Sequence, residues 1–374
     1  MIPKYFIPID VHRELVRPVV DGDMAPIEDQ SRKISDRVVK RKNFRSDIAM
    51  LRLLCIVVVV FFHAYGMTYA NHLAEDTAVI YKEIYEKLVA GGPILLAMPM
   101  FVFISGFLFG GQMMRVQPVS FVKMIKSKFM RLMVPFFVFT IIFMFTTNSV
   151  SWKPFYQWTY WHLWFLPMLF WCFVITYFLR PLLMNNKEWI AAIILLVVFA
   201  LSFTGKFMSP FFGLHSVLHW LCWFVLGAWF YNHESIFESR KIKVSVTICC
   251  GLAYLVLSFL FPQEYGDNTI VGELISLCGM AALWCAVGLI NFKDNWFTSL
   301  MVGLSGASFG IYIFHNWIEM YMVSSTARHL LPIDDFAINH TILFPLLFSI
   351  IAFGISYGIS WSLLRTKVGK NLIG

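Results

Sequence analysis

Arg52 and His63 are two ionisable residues inside an apolar run, DIAMLRLLCIVVVVFFHAYG, at positions 47–66. In an α-helix their separation of 11 residues is a rotation of about 1100°, only about 20° beyond three full turns, so both side chains share one face. They lie about 16 Å apart along the helix axis. A guanidinium binds anionic groups, and an imidazole exchanges protons near neutral pH. This stripe predicts a site that holds an anion at one end and transfers a proton at the other.

Each of the two residues also has a structural interpretation. Arg52 can reach the lipid headgroups with its long side chain, and His63 can hydrogen-bond a neighbouring helix in a protein core. Their position on one stripe instead favours an interior polar channel, because ionisable groups inside a membrane normally face a cavity or a partner.

The elements that position this stripe are predicted to be transmembrane helices. Of the 374 residues, 59% are hydrophobic and 14% are charged, whereas about a quarter of a soluble domain is charged. Long apolar runs alternate with short charged stretches, as in a bundle of membrane-spanning helices. We predict an all-α polytopic membrane protein with about ten spans, near 47–67, 93–112, 130–149, 162–180, 188–205, 214–231, 243–261, 270–291, 302–324 and 341–364.

The orientation of the spans follows from the basic residues in the loops. With a cytoplasmic N-terminus, and counting its basic residues only from Arg32 to Arg45, the inside segments carry 21 Lys and Arg and the outside loops carry five, so both termini are predicted to be cytoplasmic. The predicted organisation is a cytoplasmic N-terminal extension (1–46), a transmembrane domain (47–364) and a cytoplasmic tail (365–374). The basic stretch from Lys33 to Arg45 is expected to lie along anionic membrane lipids.

Composition also argues against several other kinds of site. The net charge of +8 comes from Lys and Arg between apolar runs, where membrane orientation explains it, so no nucleic-acid partner is expected. The seven cysteines lie inside apolar runs without metal-type spacing. His215 and His219 are four residues apart on one helix face, but no third ligand type is near them in the sequence, so no metal is expected.

Five segments together resemble a known family. The Arg52–His63 spacing matches the R-x10-H signature of the acyltransferase 3 family, integral membrane enzymes that O-acylate extracytoplasmic glycans. The other segments, in chain order, are MFVFISGFLFG (100–110), KSKFMRLMVP (126–135), WHLWFLPMLF (161–170) and SGASFGIYIFHN (305–316). They resemble the family's SGF segment, its basic K/R-x-x-R element, its HLWFL segment and its S-[YF]-x-x-Y-x-x-H segment. The resemblance covers roughly residues 44–364, essentially the whole predicted membrane domain.

The resemblance implies a membrane O-acyltransferase of the bacterial inner membrane. It would transfer acetyl from cytoplasmic acetyl-CoA, with succinyl or another short acyl group as the alternative, to a hydroxyl of an extracytoplasmic glycan, such as O-antigen, common antigen, capsule or exopolysaccharide. Arg52, Lys128 and Arg131 lie at predicted cytoplasmic ends of spans, where they would bind the phosphates of coenzyme A. Lys128 replaces an arginine at the leading position of the basic element, which keeps the charge but loses the bidentate fork. The pantetheine arm is comparable in length to the stripe, and would present its thioester near His63.

Two roles for His63 remain open at this stage. It can act as the general base on the acceptor hydroxyl, or as a nucleophile that carries the acyl group. Ser105 is predicted to hydrogen-bond the thioester carbonyl, with helix packing through Gly106 and Gly110 as the alternative.

Four further residues are predicted to line the pore or meet the acceptor. They are His162, Glu273, Tyr312 and His315. Each has a structural alternative: His162 can belong to an aromatic belt, Glu273 can cap its helix, and Tyr312 with His315 can form a hydrogen-bond network.

Two other functions remain possible for a bundle of this kind. A transporter or flippase of a lipid-linked saccharide would fit the spans, although inverted repeats are not evident in the sequence. A non-catalytic membrane partner of polysaccharide synthesis is the other alternative, and the presence of both Arg52 and His63 argues weakly against it.

Overall fold

The structure is a computed structural model that describes residues 45–70, 94–113, 119–183, 185, 187–261, 269–322 and 333–374. Every regular element in these ranges is helical, which confirms the predicted all-α class. The first elements are α1 (Ser46–Ala70), α2 (Ile94–Met113), α3 (Phe121–Lys128), α4 (Val134–Thr146), α5 (Lys153–Gln157), α6 (Phe165–Leu183), α7 (Glu188–Ser202) and α8 (Leu214–Phe230). The chain continues with α9 (Arg240–Leu260), α10 (Ile270–Val287), α11 (Trp296–Gly306), α12 (Ser308–Met322), α13 (Ile333–Asn339), α14 (Leu343–Leu364) and α15 (Lys367–Ile373).

The ten predicted spans all have helical counterparts, but they differ in length. Within the described ranges, eight segments are long and apolar enough to cross a membrane. A ninth is the pair α11 and α12, which bend by 65° at Ala307. The predicted span at 188–205 corresponds to α7, whose 15 residues reach only about 22 Å, short of the roughly 30 Å hydrocarbon core. The described residues therefore contain eight full-length spans, or nine with the bent pair, compared with the prediction of about ten.

Helices α2 and α8 pack with their backbones in contact. A methyl group added at Gly106 would collide with the carbonyl oxygen of Phe224, and one added at Gly227 would collide with that of Phe103. Gly110 faces Ala228 in the same way. Small residues at this spacing let two membrane helices approach closely. The packing interpretation of Gly106 and Gly110 is therefore confirmed.

Helix α1 lies at the centre of the arrangement that carries the predicted site. It packs against α2, α10, α11, α12 and α14. Arg52 contacts Ser308 near the start of α12, and His63 contacts His315 further along. Because these pairs follow in the same order on both helices, α1 and α12 run in the same direction.

The predicted tail at 365–374 forms a helix that folds back onto the bundle. Thr366 caps α15 by accepting a hydrogen bond from the backbone N–H of Gly369. The side chain of Ile373 is buried and packs against Gly310, one turn into α12. Helix α15 also packs against the π-helical segment Phe129–Met133, which joins α3 to α4. It therefore connects the basic element at 128–131 with the beginning of α12.

The predicted N-terminal extension lies outside the described residues, except for its last two positions. Arg45 donates hydrogen bonds to Asp47 and, at 2.9 Å from Nη1, to Glu234 in the turn after α8. Burial opposes the charge of Arg45, but its hydrogen bonds to the two carboxylates outweigh burial and raise its pKa above the ordinary value. This cluster ties the start of α1 to the α8–α9 connection.

The contact between α2 and α8 predicts the effect of adding one methyl group. Gly106→Ala should lower the free energy of unfolding by about 1–3 kcal/mol, because neither backbone can move aside without disturbing the core. The measurement is the apparent unfolding temperature of the purified protein in detergent. Gly358→Ala in α14 is the matched control, since no described atom lies within 4 Å of the added methyl. Equal unfolding temperatures for the two variants would contradict the proposed packing.

Candidate active site

Three histidines from distant parts of the chain meet inside the bundle. His63 comes from α1, His162 from the 3-10 turn Trp161–Trp164 before α6, and His315 from α12. The ring of His315 lies 5.0 Å from the rings of both His63 and His162, and those two are 6.3 Å apart between centroids. His162 and His315 are buried, whereas His63 is partly exposed. The structure thus brings three residues of the predicted site together, and we call them the histidine cluster.

The turn that carries His162 is attached to α12 at two points. The hydroxyl of Tyr312 donates a hydrogen bond to the carbonyl oxygen of His162. The His162 ring nitrogen Nε2 lies 3.0 Å from the carbonyl oxygen of Ile313. Trp161 has a φ of 43°, a left-handed conformation that non-glycine residues seldom adopt. The contacts with α12 therefore hold a turn that its own backbone preferences would not favour.

Backbone carbonyls determine which nitrogen of each imidazole carries the proton. His63 Nδ1 lies 2.9 Å from the Val59 oxygen, and His315 Nδ1 lies 3.1 Å from the Ile311 oxygen. A carbonyl oxygen only accepts, so the proton is on Nδ1 in both neutral rings and on Nε2 in His162. His315 Nε2 then carries a lone pair and lies 3.4 Å from His63 Nδ1. The Nδ1 proton of His63 is therefore shared between two acceptors, His315 Nε2 and the Val59 oxygen.

This proton arrangement leaves His63 Nε2 as an unprotonated nitrogen. An imidazole with one N–H held by hydrogen-bond acceptors and the other nitrogen free is suited to accept a proton or to attack a carbonyl. His315 orients the ring and would stabilise the positive charge that develops on it, as the third member of a catalytic triad does. No group of three or more His, Cys, Asp or Glu among the described residues is arranged to hold a metal ion.

Arg52 lies on the same stripe of α1 as His63, as its spacing predicts. Its Nη2 atom donates a hydrogen bond of 3.0 Å to the hydroxyl of Ser308. The contact joins the first and the last of the five recognised segments. Arg52 as a whole residue is partly exposed.

The basic element contains a buried lysine. Lys128 is 6% exposed, and its ammonium group lies 4.3 Å from the ring centroid of Phe173, a cation–π distance. Arg131 is partly exposed and lies in the π-helical segment, a local geometry that often accompanies functional sites. Both residues lie in or next to the π-helical segment that packs against α15. Helix α15 in turn packs against α12 close to Ser308.

Ser105 makes a local contact rather than one with the histidine cluster. Its hydroxyl donates its one proton to the carbonyl oxygen of Phe101 at 2.9 Å, inside the same helix. The neighbouring Gly106 is pressed against α8. These contacts favour the packing alternative, and the role of Ser105 at the thioester stays a prediction.

Glu273 is buried at the start of α10 and faces a histidine that sequence reasoning considered only as a metal ligand. Its Oε1 lies 3.4 Å from Nδ1 of His219. The hydroxyl of Thr269, not Glu273, caps the helix by accepting from the Gly272 N–H at 3.0 Å. His215 contacts the neighbouring Ser216 instead. A role for Glu273 toward the acceptor stays a prediction.

Sequence reasoning missed two polar residues of α12, Asn316 and Glu319. They are 4% and 0% exposed, and both follow His315 along the helix. The signal was present in the sequence, because Glu319 is a charged residue in the predicted span 302–324, and intramembrane charges indicate functional sites.

Comparison with known proteins agrees with the arrangement of these segments. A family model described as an acyltransferase domain, that of the acyltransferase 3 family, matches residues 45–365. No curated protein and no solved structure matches the chain.

The attachment of the His162 turn predicts the effect of removing one hydroxyl. Tyr312→Phe should lower the free energy of unfolding by about 1–3 kcal/mol, because the buried His162 carbonyl loses its donor. The apparent unfolding temperature in detergent measures this loss. Tyr156→Phe, at an exposed tyrosine of α5, makes the same chemical change away from the cluster and should leave the temperature unchanged. A drop of equal size in both variants would mean that the hydroxyl of Tyr312 does not hold the turn.

Proposed function

The chain belongs to the acyltransferase 3 family of membrane acyltransferases, and we propose that it transfers acetyl from cytoplasmic acetyl-CoA to a hydroxyl of an extracytoplasmic glycan. The observation that carries the proposal is the free Nε2 of His63, in a cluster with His162 and His315 and on one stripe with Arg52. The predicted orientation places Arg52 toward the cytoplasm and His63 deeper in the membrane. The bacterial inner membrane is the proposed location.

The donor side of the proposal rests on the basic residues. Arg52 would bind a phosphate of coenzyme A through its guanidinium, and Lys128 and Arg131 would add positive charge at the same end. The pantetheine arm would then follow the stripe of α1 over about 16 Å. The thioester carbonyl would then lie at the histidine cluster.

In the general-base route, His63 Nε2 removes the proton of the acceptor hydroxyl as the oxygen attacks the thioester carbonyl. The tetrahedral intermediate collapses, the carbon–sulfur bond breaks, and the thiolate takes the proton from the imidazolium. In the acyl-carrier route, Nε2 itself attacks the carbonyl and the thiolate leaves. The acceptor hydroxyl then attacks the acylated imidazole, the carbon–nitrogen bond breaks and restores the Nε2 lone pair, and the hydroxyl proton goes to the thiolate. Both routes need the Nε2 lone pair, and in both His315 Nε2 accepts from Nδ1 of His63.

A saccharide acceptor is supported by aromatic rings beside His162. Phe143 lies 6.3 Å from His162 and is stacked with Trp161 and, at 5.6 Å, with Trp317. The two tryptophans are partly exposed. Their electron-rich faces suit the apolar C–H face of a sugar ring, which also presents hydroxyls at its edge.

The first test is the removal of the imidazole of His63. His63→Ala should abolish transfer, because His63 is the member of the histidine cluster that presents an unprotonated nitrogen on the stripe of α1. The measurement is the ester content of surface glycan, by mass spectrometry, in cells that contain wild type, variant or no protein. His340→Ala, at an exposed histidine after α13, is the control and should retain wild-type ester content. Full ester content with His63→Ala would refute the mechanism, and unchanged esters with altered glycan export in cells without the protein would favour transport.

An experiment on the purified wild-type protein distinguishes the general-base route of His63 from its acyl-carrier route. Purified wild type incubated with radiolabelled acetyl-CoA and no acceptor should retain label on His63 in the acyl-carrier route. In the general-base route no protein is labelled, and the kinetics require both substrates bound together.

The second test concerns the donor. Arg52→Gln should raise the KM for acetyl-CoA by about 10-fold or more, the value of one hydrogen bond to a charged group, with a smaller effect on kcat. Arg52→Lys should lie between, since it keeps the charge without the fork. Arg365→Gln is the control. It makes the same chemical change at an arginine that stacks on Trp361 at the end of α14. An unchanged KM with Arg52→Gln would remove Arg52 from the donor site.

A further inference from the structure

Helix α12 carries a polar stripe that continues beyond the histidine cluster. Ser308, Tyr312, His315 and Glu319 are separated by four, three and four residues, so they lie within about 60° of one another around the axis. Ser308 contacts Arg52, Tyr312 holds the His162 turn, and His315 meets His63. Glu319 is one turn further on, and Asn316 lies on the neighbouring turn beside it.

The oxygens of these last two residues are buried without hydrogen-bond donors. Glu319 Oε1, Glu319 Oε2 and Asn316 Oδ1 have no hydrogen-bond partner among the residues that the structure describes. The same is true of His162 Nδ1, which bears a lone pair because Nε2 carries the proton. All four atoms are hydrogen-bond acceptors.

A buried acceptor without a donor is costly, at about 1–3 kcal/mol for a neutral group and more for a charged one. Such groups persist where a ligand or a function requires them. Beyond Glu319, Met322 packs with Ala64 and Phe348, so apolar side chains follow on the far side. The unsatisfied acceptors therefore lie between the histidine cluster and an apolar layer.

We propose that Asn316 and Glu319 form a subsite that binds hydroxyl groups of a polyhydroxylated acceptor, next to the hydroxyl that receives the acyl group. The inference rests on the proposed function, and it adds the chemistry by which the acceptor is recognised. A sugar supplies several O–H donors, which matches the side-chain oxygens of Asn316 and Glu319 that lack a donor among the described residues. His315 and Glu319 are about 6 Å apart along the axis, so one molecule with hydroxyls on opposite sides of a ring can reach both.

The experiment measures binding of soluble glycosides to the full-length protein in lipid nanodiscs, without acetyl-CoA. The probes are the methyl glycosides of glucose, galactose and N-acetylglucosamine, each compared with its fully O-methylated counterpart, which has no O–H donor. Binding is followed by calorimetry. At least one glycoside should bind wild type at least 10-fold more tightly than its methylated counterpart. Glu319→Leu and Asn316→Leu should each weaken that binding at least 10-fold.

The stability of the same variants distinguishes a ligand site from a structural role. Glu319→Leu removes a buried carboxyl group that has no hydrogen-bond partner among the described residues, so its unfolding temperature should equal or exceed that of wild type while glycoside binding is lost. Glu188→Leu makes the same change at an exposed carboxylate of α7 and should bind as wild type does. If Glu319→Leu does not fold, Asn316→Leu carries the test alone.

Three outcomes would overturn the proposal. They are equal binding of each glycoside and its methylated counterpart, equal binding by wild type and the leucine variants, and no binding of any glycoside to wild type. Because the assay contains no acyl donor, its result is separate from that of the proposed function. Glycoside binding that depends on Glu319 in a protein that transfers no acetyl would leave the subsite standing and refute the transfer.

Discussion

The contact between α1 and α12 is the constraint on which the rest of the site depends. In a membrane, polar groups that leave water must find partners inside the protein, and two pairs do so along this one contact. Arg52 meets the Ser308 hydroxyl, and His63 meets His315. Because both pairs lie on stripes that face each other, sliding or rotating either helix would separate both at once. The positions of the proposed reactive nitrogen of His63 and of the proposed anion-binding group of Arg52 are therefore coupled.

The surrounding elements keep this contact in place. Helix α14 packs on α1 and α12, and α15 packs Ile373 against Gly310 of α12. Helix α2, which also packs on α1, is held by its close backbone contact with α8 through Gly106 and Gly227. The His162 turn depends on α12 twice, through the Tyr312 hydroxyl and the Ile313 carbonyl. A helical bundle that is close-packed in this way supplies a reactive group with fixed neighbours, as a preorganised site requires.

Hydrogen bonds to main-chain carbonyls determine which ring nitrogen carries the proton in each residue of the histidine cluster. Each imidazole donates a hydrogen bond to a backbone carbonyl of α1 or α12, and a carbonyl oxygen can only accept. The three rings therefore have defined tautomers, with the proton on Nδ1 of His63 and His315 and on Nε2 of His162, without a carboxylate partner among the described residues. His63 and His162 each combine a supported N–H with an unprotonated ring nitrogen, and of these two only His63 lies on the stripe of α1 with Arg52. By the same reasoning, the side-chain oxygens of Asn316 and Glu319 need hydrogen-bond donors that the described residues do not supply.

The sequence by itself determined the helical class, most of the span positions, the shared stripe of Arg52 and His63, and the family. These follow from local properties, since hydropathy and a period of 3.6 residues are written in consecutive positions. It could not determine that α7 is too short to span, that Ser105 bonds within its own helix, or that Glu273 faces His219. Nor could it place His162, 99 residues along the chain from His63, within 6.3 Å of it. Only the tertiary structure decided which polar groups meet and which remain unsatisfied, because those partners come from helices whose contacts depend on packing rather than on sequence spacing.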